Sequence, residues 1–383
     1  MKLGVKECII TPLKPCVMAG FAAQTEPTAR VDDDLHARLL AIGTDECMNV
    51  LISADSLGMP EVMKDHLEEV AKQCFGHNAH VSLFCTHTHY APNASLSSYQ
   101  DETVSRISSA MKEMSLQEGN VSLGFASMPY QGVGTSRITH HEASVKLSLL
   151  VFCLNGRQTA AIVHYNCHPT VLGERHDAMS AEYPGYVCRQ TAKAHPGVAV
   201  MFAQGAAGDV STRFTRTSQD RKGMEQLGDR LCEKIESLWS RLSFQPVSCC
   251  TYRQIRESLE REYTPVDDAL IPSGLSPREY EEIAQGQKIR AALEKKKDLQ
   301  PDEMFLCMMG FGGFRFVFAP AEMFSAYAGA LDRNTLLVCY ANGYQPYVTP
   351  PGFHAITYEL FWDTLTEKTK EKLWQDLQEL SAG

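Results

Sequence analysis

An Asn155-Gly156 pair stands between two apolar runs, Leu147 to Leu154 and Ala160 to Asn166, and it constrains the chain more than any other short stretch. Asn-Gly favours a type I′ turn, whose twist matches that of the strands on either side, so the segment predicts an antiparallel hairpin. The returning strand runs directly into Cys167-His168-Pro169-Thr170. Pro169 cannot donate to a sheet ladder and pushes the residue before it out of the helical region, which holds His168 extended at a strand exit.

A second stretch, His80-Val81-Ser82-Leu83-Phe84-Cys85-Thr86-His87-Thr88-His89, reads as a buried strand ending in two histidines two residues apart. Alternation along a strand places His87 and His89 on one side, at the carboxyl end where open α/β sheets keep their ligands. Around these two anchors the chain alternates. Residues 35–43 and 47–53 predict a hairpin, and Pro60 opens a helix that Gly76 closes. Helices are expected near 101–115, 182–194 and 218–242, and strands at 121–128, 198–203 and 247–258. Residues 276–300 are charged and helical, a candidate insertion or cap. Glu322 follows Pro320-Ala321 and is expected in the first turn of a helix, and a strand runs from Leu336 to Tyr340. The expected fold class is α/β, a mixed central β-sheet flanked by helices, with residues 1–383 as one large domain and a metal site at the strand ends.

Charge and composition exclude several classes. The formal charge of −10 argues against a nucleic-acid partner, which requires a concentrated basic face; Lys295-Lys296-Lys297 is a solvated helix end. The 13 cysteines are odd in number and sit mostly in apolar runs, as in a reducing compartment. The first residues show no apolar h-region and no window approaches a membrane span, so a cytoplasmic location without a transmembrane segment is expected.

His87, His168 and Glu322 supply two imidazoles and a carboxylate, each at the end of a strand-like run, the donor set of a catalytic zinc with an open position. Such a zinc brings bound water to a pKa of ~7 and polarises a carbonyl, opening amide and ester hydrolysis at neutral pH. Spacing alone leaves open which of His87 and His89 binds metal. The His-x-His run of the metallo-β-lactamases continues into an Asp-His pair; here Tyr90-Ala91-Pro92 follows. Ser211, in Gly208-Asp209-Val210-Ser211, is either a nucleophile or a turn residue. His140-His141, His164 and His176 have no distinguishing spacing, and Asp55 fits a turn as well as a ligand-orienting role.

Five motifs in order, Thr86-His87-Thr88-His89, Asn166-Cys167-His168-Pro169-Thr170, Gln204 to Ser211, Pro320-Ala321-Glu322 and Tyr347-Val348-Thr349-Pro350, resemble the catalytic domain of the neutral/alkaline ceramidases, from about Gly20 to about Tyr358. The resemblance implies a zinc-dependent amidase that cleaves the N-acyl bond of ceramide into a fatty acid and a sphingoid base, so the expected partner is a lipid or other small-molecule N-acyl substrate. Carried over, the Zn2+ ligands are His87, His168, Glu322 and Tyr347. His89 becomes the proton-transfer group, Arg137 faces the substrate, and Tyr358 supports the oxyanion. Ser211 matches a serine discussed as nucleophile or as substrate contact. On their residues alone Arg137 also fits a salt-bridged loop, Tyr358 a core aromatic and Ser211 a helix cap.

This chain departs from the family where glycine-rich or small residues are replaced by Tyr90-Ala91-Pro92-Asn93-Ala94 and Leu360-Phe361-Trp362-Asp363, and where Thr212-Arg213 follows the serine. The family's extra C-terminal β-sandwich is not expected within residues 1–383. Bulkier groups are expected at the pocket rim, and with them a substrate smaller than ceramide. An esterase or lactonase, or a non-catalytic lipid- or metabolite-binding protein on the same scaffold, are the alternative readings.

Overall fold

The structure is a computed structural model that describes residues 1–21, 24–139, 141, 145–263, 271 and 273–382, the side chain of residue 278 excepted. His140 lies outside the described residues. Among the described residues the strands are divided over two five-stranded sheets, one four-stranded sheet and two two-stranded pairings, so the expected mixed sheet is realised as several packed sheets.

The first sheet has the order β4 (Ala79–Cys85), β3 (Met48–Ala54), β2 (His36–Gly43), β1 (Lys2–Ile9), β5 (Gln117–Glu118). The pair β2–β3 is the antiparallel hairpin expected from its sequence, and β3–β4 is parallel. Helix α1 (Glu61–Phe75), which begins after Pro60 and ends at Gly76, makes that parallel crossover. Helix α2 (Ser97–Lys112) shares its apolar layer.

The second sheet has the order β10 (Ala199–Gln204), β9 (Arg157–Tyr165), β8 (Lys146–Leu154), β6 (Val121–Pro129), β12 (Phe244–Val247). Asn155 and Gly156 have φ of 51° and 79°, the left-handed pair that a type I′ turn requires. Parallel β9–β10 is joined through α3 (Glu182–Ala194), which packs with α4 (Arg221–Trp239) on the outer face.

The third sheet is β13 (Cys250–Ser258), β14 (Glu303–Phe311), β15 (Phe314–Phe318), β17 (Thr335–Val338). Leu40, Leu51 and Phe84 of the first sheet, Leu150 and Ile162 of the second, and Phe305, Phe316 and Phe318 of the third form one apolar layer between the sheets. Helices cover the outer faces, including the C-terminal α7 (Glu367–Ala382) against the third sheet. Cys307 sits fully buried and free in this layer, and Cys85 and Cys339 do so in the helix-covered core beside it.

Helix α5 (Pro277–Lys295) begins with a capping box in which Ser276 accepts from the Glu279 amide and Glu279 from the Ser276 amide. It lies against the short helix α6 (Tyr358–Trp362), where the Arg290 guanidinium donates to the Leu360 carbonyl at 3.2 Å. Among the described residues no helix is long and apolar enough to cross a membrane.

Two small pairings place the chemistry. Strand β7 (Thr135–Ser136) pairs antiparallel with β11 (Val210–Ser211), and β16 (Ala321–Met323) pairs parallel with β18 (Gln345–Val348). Glu322 is therefore a strand residue opposite Tyr347, not part of a helical first turn. The residue after Pro320 continues as a strand because the chain from Gln345 to Val348 is there to pair with it, a long-range contact that local propensity does not encode.

Candidate metal centre

The sequence brings His87 and His89 to one place by a route different from strand alternation. Strand β4 stops at Cys85, and His87 adopts φ of 64°, a left-handed conformation unusual outside glycine. That bend, rather than the pleat, turns both rings inward. Strain of this kind persists only when its surroundings fix it. Here the Tyr340 ring stacks on the His87 imidazole with centroids 3.8 Å apart, and the His87 Nδ1–H donates to the Leu57 carbonyl at 2.8 Å.

The other two imidazoles are held in the same way. His168 Nδ1 donates to the Ala207 carbonyl at 2.7 Å, and His89 Nδ1 to the Gly20 carbonyl at 3.1 Å. A carbonyl only accepts, so each Nδ1 carries a proton, and in a neutral imidazole held this way Nε2 is the atom left to present a lone pair. The Nε2 atoms of His87 and His89 are buried with no hydrogen-bond partner. One ligand atom from each of His87, His89 and His168 lies within 4.8 Å of the others.

Glu322 completes the cluster. Its Oε2 is 3.1 Å from His168 Nε2 and 3.5 Å from His87 Nε2. Burial and then the Arg137 charge push the His168 imidazole down to about 4, so it is neutral at pH 7. Two lone-pair atoms are thus directed at each other across 3.1 Å in a dry site. Without a positive charge between them this arrangement is repulsive; a cation converts it into coordination. The residues present therefore fit a metal ion. His87 and His168 are 0% exposed, Glu322 5% and His89 9%, so water supplies little of that compensation.

Around this centre stand the remaining sequence-predicted residues. Arg137 Nη1 donates to the Tyr347 hydroxyl at 3.0 Å and to Glu359 Oε1 at 3.2 Å. The Tyr347 ring stacks at 6.3 Å on His168 and meets Tyr358 edge-on at 6.3 Å. The backbone of Ser211 bridges to His168, while its Oγ accepts from the Arg213 amide at 3.4 Å. Among the described residues no histidine or carboxylate bonds to that hydroxyl, so nothing there activates it as a nucleophile.

Other expectations are redistributed. Asp55 is buried in an ion pair with Arg38 at 3.0 Å and accepts the His36 amide, a structural role. His164 bonds to the Leu337 carbonyl, and His176 Nε2 lies 3.2 Å from Asp32 Oδ2, both outside the cluster. His141 is exposed. The bulky replacements are mostly not at a rim: Tyr90 and Phe361 are fully buried, with the Tyr90 hydroxyl donating to the Gly173 carbonyl. Trp362 does stand beside Tyr358, their rings 6.4 Å apart, and Phe21 covers His89 at 4.9 Å.

Sequence reasoning missed Tyr344, whose hydroxyl donates to Glu322 Oε1 at 2.5 Å, and Glu359, the partner of Arg137. It also missed Glu182, which has φ of 54° and accepts the amides of Val171 and Leu172 just beyond His168. The Tyr358-Glu359 dipeptide was the one available signal, a carboxylate beside a candidate site residue.

Fold and site together define a mixed α/β protein with a buried imidazole–carboxylate centre at its strand ends. The fold is that of the neutral ceramidases. A neutral ceramidase from Pseudomonas aeruginosa superposes with a TM-score of 0.78 at 19% identity, over 99% of this chain and 74% of that one. A ceramidase complexed with C2 superposes with a TM-score of 0.79 at 18% identity, again over 99% and 74%. The chain matches no protein-family model and no curated protein sequence.

Proposed function

We propose that this protein is a zinc-dependent hydrolase that cleaves an N-acyl amide bond, in one catalytic unit, on a substrate smaller than ceramide. The carrying observation is the approach of Glu322 Oε2 to the Nε2 atoms of two imidazoles in a buried site. Two histidines, a carboxylate and the Tyr347 phenol would hold the ion, a nitrogen and oxygen set that suits zinc. When bound, zinc supplies Lewis acidity toward an acyl carbonyl and lowers the pKa of a water to ~7.

The chain's own residues do the rest. His89 Nε2, uncommitted and facing the cluster, accepts a proton from the attacking water and returns it to the departing amine. Its Nδ1–H stays on the Gly20 carbonyl throughout, which fixes the ring's direction. Arg137 keeps a buried Nε–H without a partner, a donor available to the oxygen where negative charge grows. Tyr358 stands beside Tyr347 for the same task. Ser211 is a substrate contact in this reading. The 13 free cysteines support a reducing, cytoplasmic setting, and the formal charge of −10 gives no support to a nucleic-acid partner.

Substrate size follows from enclosure. Glu322, His87 and His168 are almost completely covered, and Phe21, Trp362 and the α5–α6 pair stand close by, with Arg213 ion-paired to Glu282 of α5 at 3.1 Å. Assaying the zinc-loaded protein on ceramide and on short N-acyl amides tests this. Faster turnover of the short amides, abolished by a chelator, is expected; faster turnover of ceramide would contradict the size assignment, and stoichiometric metal without hydrolysis of any acyl substrate would contradict the enzyme assignment.

Gly20 gives a finer test of His89. Its φ is 115°, and a Cβ there would lie 2.6 Å from the His89 ring. Gly20→Ala must displace the imidazole, and a shift of about 1 Å costs on the order of 10²-fold in rate. Measuring kcat/KM and bound zinc together should show the rate falling with the metal retained.

A further inference from the structure

The Glu322 carboxylate divides its two oxygens. Oε2 faces His87 and His168, and Oε1 accepts a hydrogen bond from the Tyr344 hydroxyl at 2.5 Å. An ionised carboxylate has no proton to give, so the phenol is the donor, and the bond fixes the rotation of the carboxylate about its Cγ–Cδ axis.

Tyr344 is itself held from two sides. The loop before it is tied to β4, where the Asn342 amide donates to the Leu83 carbonyl at 2.7 Å and Asn342 Oδ1 accepts from the Leu83 amide at 2.9 Å. That strand leads to His87. The Tyr344 ring also lies against Gly58, so closely that a Cβ at Gly58 would stand 2.4 Å from its Cδ2. Gly58 follows Leu57, whose carbonyl takes the His87 Nδ1 proton. One side chain thus touches the carboxylate and the segment that orients the imidazole opposite it.

We propose that Tyr344 is a positioning residue that sets metal affinity: it presents Glu322 through Oε2 alone and braces the loop that aims His87. The proposal rests on the metal-centre reading above. Partners of this kind, bonded to a ligand and not to the ion, change metal affinity by about 10–100-fold when removed. Nothing in the proposal requires Tyr344 to touch substrate.

The experiment is a zinc competition titration against a chelating dye, on wild type, Tyr344→Phe and Gly58→Ala, with the thermal midpoint of each metal-free protein recorded alongside. Tyr344→Phe removes one hydroxyl and keeps the ring, so its metal-free midpoint should match wild type while its zinc dissociation constant rises about 10–100-fold. Gly58→Ala, which must move the ring, should weaken zinc in the same direction. Wild-type affinity in Tyr344→Phe overturns the proposal and leaves the metal centre standing. Failure of wild type to bind zinc overturns both, and the two failures are told apart by the wild-type titration itself.

Discussion

Glu322→Ala is expected to abolish hydrolysis and to raise the zinc dissociation constant by roughly 10²–10³-fold, one ligand's share of the ~10–16 kcal/mol that a full structural zinc set supplies. The reasoning is geometric. Glu322 Oε2 is the atom that both His87 and His168 approach, at 3.5 and 3.1 Å, so its removal takes the carboxylate from the centre and leaves the two imidazoles. The same substitution should not unfold the protein, because β16 keeps its backbone pairing with β18. Inductively coupled plasma analysis of dialysed protein, with circular dichroism, checks both halves. Full zinc occupancy in the variant would contradict the assignment.

His89→Ala is expected to lower kcat by about 10²–10⁴-fold, the usual worth of a positioned general acid–base group, with zinc retained. This separates two donor sets that the geometry makes available. His89 lies in the same cluster as His87 and His168, so a three-imidazole centre predicts that the variant loses metal. The proposed centre predicts that it keeps metal and loses rate. The pH profile adds a sign. Burial first, then His87 and His168, hold the His89 imidazole well below its ordinary value, so the neutral base persists into the acid range. The acid limb of kcat/KM in wild type should fall below pH 6.5, with activity rising through it and then level. A limb near 6.5 would mean an ordinary, solvated histidine.

Much of this site is legible from residues alone. His87 and His168 each follow the end of a strand, whereas Glu322 is the middle residue of β16, and the Asn155-Gly156 turn closes the hairpin whose returning strand leads to His168. The legible parts are those governed by local rules: turn chemistry, proline geometry and apolar runs. The left-handed φ of His87 is not among them, because Tyr340 and Leu57, which hold it, lie far away in sequence. Glu322 was expected in a helix because its nearest neighbours permit one, and a pairing partner 25 residues downstream decides otherwise (Tyr347 opposite Glu322). Tyr90 and Phe361 show the same limit from the other side: a large residue next to a motif reads as a rim group, yet Tyr90 is taken into an apolar core and Phe361 is buried against Gly286 of α5. Tyr344 could not be read at all, since its value depends on one 2.5 Å contact with Glu322.

Anomalous diffraction at the zinc edge from crystals grown with the metal tests the central claim most directly. The account predicts one strong peak about 2.0–2.2 Å from His87 Nε2, His168 Nε2 and a Glu322 oxygen, with His89 outside bonding distance. A peak coordinated by all three histidines without Glu322, or no peak among these residues, would contradict it.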